Sequence, residues 1–88
     1  MLKSNEKKLI QRLHIIQGQM AGLERMTEGK KYCVDIITQS LAIQKSLQSF
    51  NQAMLENHLE EHVVHQFKQG NENTAIKELA KIYSLSKK

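Results

Sequence analysis

The stretch KKYCVDIITQSLAIQKSLQSFNQAMLENHLEEHVVHQFKQ, from Lys30 to Gln69, decides the fold, because no proline or glycine interrupts it. Within it Ile36, Ile43, Leu47, Phe50 and Met54 share a face at helical spacing, so the whole stretch reads as one long helix. Gly70 ends it. The polar Asn71-Glu72-Asn73 then makes a turn with Asn73 as the next cap, and Ile76, Leu79, Ile82 and Tyr83 mark a short third helix. On the other side, Leu9, Leu13, Ile16, Met20 and Leu23 put an apolar stripe along a first helix, from about Ser4 as N-cap to about Glu28, with Gly29 as C-cap. Gly18 and Gly22 lie inside that helix, each about 1 kcal/mol less favourable than Ala, and read as a flat patch where another helix backbone approaches. Two helices joined by so short a connection fold back antiparallel. The second outlasts the first, and its overhang calls for another subunit.

The expected fold is therefore all-α, a three-helix protomer with a long second helix, occupying residues 1–88 as a single domain. A chain of 88 residues with a mean hydropathy of −0.51 buries a modest core, so part of its apolar surface is to be completed by a second copy. No apolar run is long enough to span a bilayer, and Met1-Leu2-Lys3-Ser4-Asn5-Glu6-Lys7-Lys8 lacks the apolar stretch of a signal peptide. A cytoplasmic protein with no membrane partner is expected. The single cysteine, Cys33, cannot form an intramolecular disulfide and is free for metal or redox chemistry. Thirteen Lys and Arg against nine Asp and Glu give a net charge of +4, a bias compatible with an anionic partner.

The side chains with coordination chemistry are Cys33, His58, His62 and His65, with His14 standing apart. The three later histidines are spaced four and three residues apart and share one helix face. Cys33 and His58, 25 positions apart, lie roughly 37 Å apart on a continuous helix rising about 1.5 Å per residue. One chain cannot bring them to one metal. If two copies pair with their long helices antiparallel, Cys33 of one protomer meets His58 and His62 of its partner, and a symmetric dimer carries two equivalent sites. A thiolate with two imidazoles suits Cu(I), Zn(II), Ni(II) or Co(II) and not Mg(II) or Ca(II). Glu61 and His65 are possible further donors, and an oxygen donor at Glu61 would favour a divalent, higher-coordinate ion.

With these residues in place, the chain resembles the CsoR/RcnR family of metal-sensing bacterial repressors over nearly its whole length. The carriers are Arg12-Leu13 with Ile16, Gly18-Gln19 and Gly22-Leu23, then Tyr32-Cys33 with Asp35-Ile36, Gln39 and Ala42, and finally His58-Leu59-Glu60-Glu61-His62. The resemblance implies a metal site of Cys33, His58 and His62, and a helical dimer assembling to a flat homotetramer. Copper members have a second Cys where this chain has His62. Nickel and cobalt members have His there, and the segment from His58 to Gln66 looks most like theirs, so Ni(II) or Co(II) is expected narrowly ahead of Cu(I). Tyr32 and Glu78 match instead the pair that in copper members orients the ligand histidine through its far ring nitrogen. Persulfide and formaldehyde sensing, which in this family use a second cysteine or an N-terminal proline, do not fit a chain with one Cys and no proline.

The resemblance also implies that the metal-free protein binds double-stranded operator DNA through a helical face and that metal releases it. Arg12 matches a DNA-contact position of the family, and Lys8 and Arg25 lie on or near the same helix. Ile15 stands where many members carry a second basic residue, and Lys3, Lys7 and Lys8 are expected to compensate through phosphate contacts. The alternatives are a metal-storage bundle without DNA binding and a copper-specific repressor of the same family. An enzyme is not expected, since no oxyanion loop, cofactor motif or third member of a Cys-His triad is present.

Overall fold

The computed structural model describes residues 3–87, with side chains from Asn5 onward. The chain is helical almost throughout: α1 (Lys3–Glu28), α2 (Cys33–His58), a π-helical turn (Leu59–Val63), α3 (Val64–Lys68) and α4 (Glu72–Ser86). α2, the π turn and α3, together the rod, follow one another without a non-helical residue between them, and the described residues give the strand-free, three-helix protomer expected from the sequence. No helix among them is long and apolar enough to cross a membrane. The residues up to Leu55 form one compact unit and those from Glu56 another.

In the first unit α1 and α2 make an antiparallel hairpin. Gln39 Nε2 donates to the Gln19 carbonyl at 3.2 Å, while Arg12, Ile15 and Ile16 face Ser46 and Ser49 further along α2. The register thus rises on α2 as it falls on α1. Leu9, Ile16 and Ile43 are buried at the seam, while Leu13, Met20, Leu47 and Met54 of the same stripes stay exposed. Two helices cover only one flank of each other's stripe; the other flank is left for another surface.

The hairpin turn departs from expectation. Lys31 N–H donates to the Met26 carbonyl at 3.0 Å and Lys30 N–H to Thr27 at 3.2 Å, the paired bonds of a Schellman ending. The left-handed residue in it is Lys30, at φ 54°, and not Gly29, whose role is steric: a Cβ there would lie 3.1 Å from the Arg25 carbonyl oxygen. Ser4 lies within α1 and not ahead of it. The expected flat patch is also absent within the chain, for a Cβ at Gly18 meets nothing within 4 Å and one at Gly22 meets only the Gln39 and Arg25 side chains, at 3.6 and 3.7 Å.

In the second unit the rod ends as expected at Gly70, φ 78°, with Asn71 N–H bonded to the Gln66 carbonyl at 2.7 Å and Gly70 N–H to Phe67 at 3.2 Å. Asn73 lies inside α4; the capping position is Asn71, whose side chain makes no capping bond. The Asn71 carbonyl accepts from Ala75 N–H at 3.2 Å. Ala75 and Val63 are buried here, and Gln66 Nε2 donates to Glu78 Oε1 at 3.0 Å, tying α3 to α4. Ile76, Ile82, Tyr83 and Leu85 of α4 face outward.

Candidate metal centre and DNA face

Cys33 is the first residue of α2, exposed and free. The Tyr32 carbonyl accepts from Asp35 and Ile36 at 2.9 and 3.2 Å, which starts the helix at that cysteine. The thiol therefore sits at the end of α2 where unpaired N–H groups and the helix dipole favour negative charge. Tyr32, beside it, is 70% exposed.

His58 closes the same helix, and with α2 one unbroken element the two donors stand at its opposite ends. Beyond His58 the backbone widens into the π turn, where Val64 N–H reaches back to the Leu59 carbonyl. Single π turns inside helices often mark functional sites. Here the turn carries Glu61 and His62. The His58 and His62 rings stack with centroids 5.2 Å apart and planes 28° from parallel.

His58 Nε2 is enclosed by protein and has no hydrogen-bond partner. A buried polar atom left so costs about 1–3 kcal/mol, and a ring nitrogen carrying a lone pair is satisfied equally well by a proton donor or a metal ion. The donor chemistry therefore fits a soft or borderline metal at this histidine. Among the described residues, however, no three His, Cys, Asp or Glu side chains gather closely enough to hold an ion. The structure brings His58 and His62 together. Glu61 is half-buried in the π turn, His65 is exposed on α3, and Glu78 receives the Gln66 bond.

The expected DNA-contact residues divide by face. At about 100° per residue, Lys8 lies about 40° from Arg12 around α1, while Lys7 and Arg25 lie about 140° away. Lys7, Lys8, Arg12 and Arg25 are all exposed and make no ion pair among the described residues. Arg12 lines the seam with α2, and the Arg25 guanidinium reaches it as well, for a Cβ at Gly22 would lie 3.7 Å from it and 3.6 Å from the Gln39 amide of α2. The Lys3 side chain lies outside the described residues.

Two features were not read from the sequence. The π turn has no marker, since Leu59-Glu60-Glu61-His62-Val63 contains neither proline nor glycine. Gln66, as partner of Glu78, could have been found only from the packing of α4 against α3.

The described residues give a small all-helical chain with a stacked imidazole pair, and comparison with known proteins places it in a family of regulators. The profile of the family described as "Metal-sensitive transcriptional repressor" matches residues 5–84, and the chain belongs to that family. It is a family of repressors and not of enzymes. The copper-sensing transcriptional repressor CsoR of Bacillus subtilis is 35% identical over 83 residues, 92% of this chain and 82% of that protein. Its counterpart in Mycobacterium tuberculosis is 37% identical over 78 residues, 89% of this chain, which spans only 66% of the relative's length. The crystal structure of copper-sensing CsoR with Cu(I) from Geobacillus thermodenitrificans superposes with a TM-score of 0.94 at 30% identity, covering 100% of this chain and 92% of that one. All three are described as copper-sensing, so the expectation of nickel or cobalt finds no support in them.

Proposed function

We propose that the chain is a cytoplasmic, Cu(I)-responsive repressor that binds operator DNA when metal-free and leaves it when Cu(I) is bound. Cys33 of one protomer and His58 and His62 of its partner would hold the ion, a set of one thiolate and two neutral imidazoles that suits a soft monovalent cation. The observation that carries this reading is the enclosed, unsatisfied Nε2 of His58 stacked against His62, with the only thiol at the far end of the same helix. The copper-sensing relatives support the choice of metal over the Ni(II) or Co(II) expected from His62. A storage bundle without DNA binding is displaced by the family, whose members are repressors.

The oligomer follows from the same geometry. Leu13, Met20, Leu47, Met54, Ile76 and Ile82 are exposed, and apolar surface on this scale in so small a chain marks an interface. An antiparallel pairing of rods covers it, sets Cys33 beside the partner's histidine pair, and pairs of dimers make the tetramer. The switch is linkage: an ion held more tightly by the free protein than by the DNA-bound form lowers DNA affinity by the same factor. Ligands drawn from two rods let binding change the angle between them and misalign their cationic seams.

A second reading, Ni(II) or Co(II), is favoured by His62, where an imidazole replaces a thiolate, and by the half-buried Glu61 carboxylate in the same turn. Titration of the purified protein with Cu(I), Ni(II), Co(II) and Zn(II), followed by operator gel shift with each, decides between them. Release by Cu(I) alone, from a three-coordinate complex, supports the copper reading. Release by Ni(II) or Co(II), with a five- or six-coordinate ligand field, replaces it.

A further inference from the structure

Gln66 lies on α3, half-buried, four residues beyond His62. Its Nε2 donates to Glu78 Oε1 at 3.0 Å, and that bond fixes which end of the amide is which. Turned over, the amide would set its oxygen against a carboxylate oxygen and leave an enclosed N–H pair with no acceptor. The inner end is therefore the carbonyl, and Gln66 Oε1 is enclosed by protein without a hydrogen-bond partner. An acceptor left so costs about 1–3 kcal/mol. It calls for a donor.

Side chains on a helix lean toward its N-terminus, so that a residue stands over the one four places before it. Gln66 thus leans toward His62, an exposed residue on which the His58 ring stacks from the preceding turn. An imidazole that binds a metal through one nitrogen keeps a hydrogen on the other, and that N–H is almost always bonded to a carboxylate, a carbonyl or water. A thiolate has no such hydrogen. An enclosed amide carbonyl one turn away is therefore of use to a histidine at position 62 and of none to a cysteine there.

We propose that Gln66 is the positioning residue of His62: its Oε1 accepts the far ring N–H of His62 when His62 is a metal ligand, while its Nε2 keeps the bond to Glu78. This rests on the reading of His62 as a ligand given above and deepens it by naming the group that orients that ligand. The bond fixes the tautomer of His62 and leaves its other ring nitrogen free for the ion. It also satisfies both ends of the Gln66 amide at once. Through Glu78 it joins the ligand to α4.

The test is a double-variant cycle on the full chain without DNA, read as Cu(I) affinity by competition with a chelator: wild type, Gln66→Leu, His62→Cys and the two substitutions together. Leucine is uncharged and offers neither donor nor acceptor. Gln66→Leu should lower Cu(I) affinity about tenfold or more in the wild-type background and leave it unchanged in the His62→Cys background, where no ring N–H needs an acceptor. Equal losses in both backgrounds would mean that Gln66 acts only by holding α4 through Glu78, and they overturn the proposal. So does an unchanged affinity in Gln66→Leu. Circular dichroism controls for folding, and a second measurement needs no variant at Gln66. Nitrogen-resolved NMR of the Cu(I)-loaded wild type should show the His62 ring N–H protected from exchange with solvent, although the residue is exposed; rapid exchange overturns the proposal. His62→Ala separates the two readings. If it retains full Cu(I) affinity, His62 is not a ligand, and both the site and this proposal fall. If His62→Ala loses affinity and Gln66→Leu does not, the site stands and only the proposal falls.

Discussion

The two ends of α2 are built differently. At its start Cys33 is exposed, unpaired and set on a helix end whose free N–H groups welcome negative charge. At the close of α2, His58 is half-buried, with an enclosed nitrogen lacking a partner, and the backbone opens into a π turn that stacks His62 against it. One end offers a donor with no enclosure and the other offers enclosure with a donor missing. In the proposed function each is half of a centre, and on one helix the halves cannot meet. The proposed sensing unit is therefore a pair of chains, because antiparallel pairing is the symmetric arrangement that sets unlike ends of identical helices side by side.

The largest effects should come from removing either half. Cys33→Ala and His58→Ala are each expected to abolish Cu(I)-dependent release while the metal-free proteins still bind operator, since neither residue lies at the α1–α2 seam. Loss of operator binding by a folded, metal-free Cys33→Ala protein would count against this. Mixing the two variants sharpens the comparison. In a mixed dimer one site carries both lesions and the other carries none, so random exchange should restore about one site in four by symmetry. Stoichiometric Cu(I) titration of the mixture reads this directly, and a site within one chain would recover nothing.

A smaller change is expected at the enclosed end alone. His62→Cys supplies a second soft sulfur beside His58 and should raise Cu(I) affinity relative to Ni(II) and Co(II) by at least about tenfold. Competition with a chelator of known affinity measures the ratio. An unchanged ratio would mean that the residue at position 62 stacks on His58 without binding the ion.

The apolar periodicities made the hairpin and the long rod legible, because helix formation in both follows from a stripe that must be buried. Burial of Leu9, Ile16 and Ile43 against exposure of Leu13, Met20 and Leu47 was not legible. The stripe specifies that a face is apolar, and not which surface covers its second flank. The donor residues could be named from their types and the distance between them computed from helix rise. The π turn could not, since its residues are ordinary helix formers. The DNA face was legible in part: charge named Arg12, Lys8, Lys7 and Arg25 together, while helical angle divides them.

The smallest effect concerns the turns that bracket the rod, where the same Schellman geometry is built once on Lys30 and once on Gly70, at φ 54° and 78°. A side chain in the left-handed region costs about 1–2 kcal/mol through its Cβ, while glycine enters it without that penalty but loses more freedom on folding. Lys30→Gly should therefore stabilise the protein by about 0.5–1 kcal/mol, and Gly70→Ala should destabilise it by a similar amount or more. Neither position lies near another group that would confuse the reading: a Cβ at Gly70 meets nothing within 4 Å, and Lys30 is exposed. Urea unfolding at fixed protein concentration is the measurement, with the midpoint moving in opposite directions for the two variants and the m-value held constant. Movement in the same direction would show that the two turns are not equivalent endings. Gly29→Ala is the control, for it adds a Cβ 3.1 Å from the Arg25 carbonyl oxygen without touching the left-handed residue. Its loss should come from that crowding alone, and it should persist in the Lys30→Gly background.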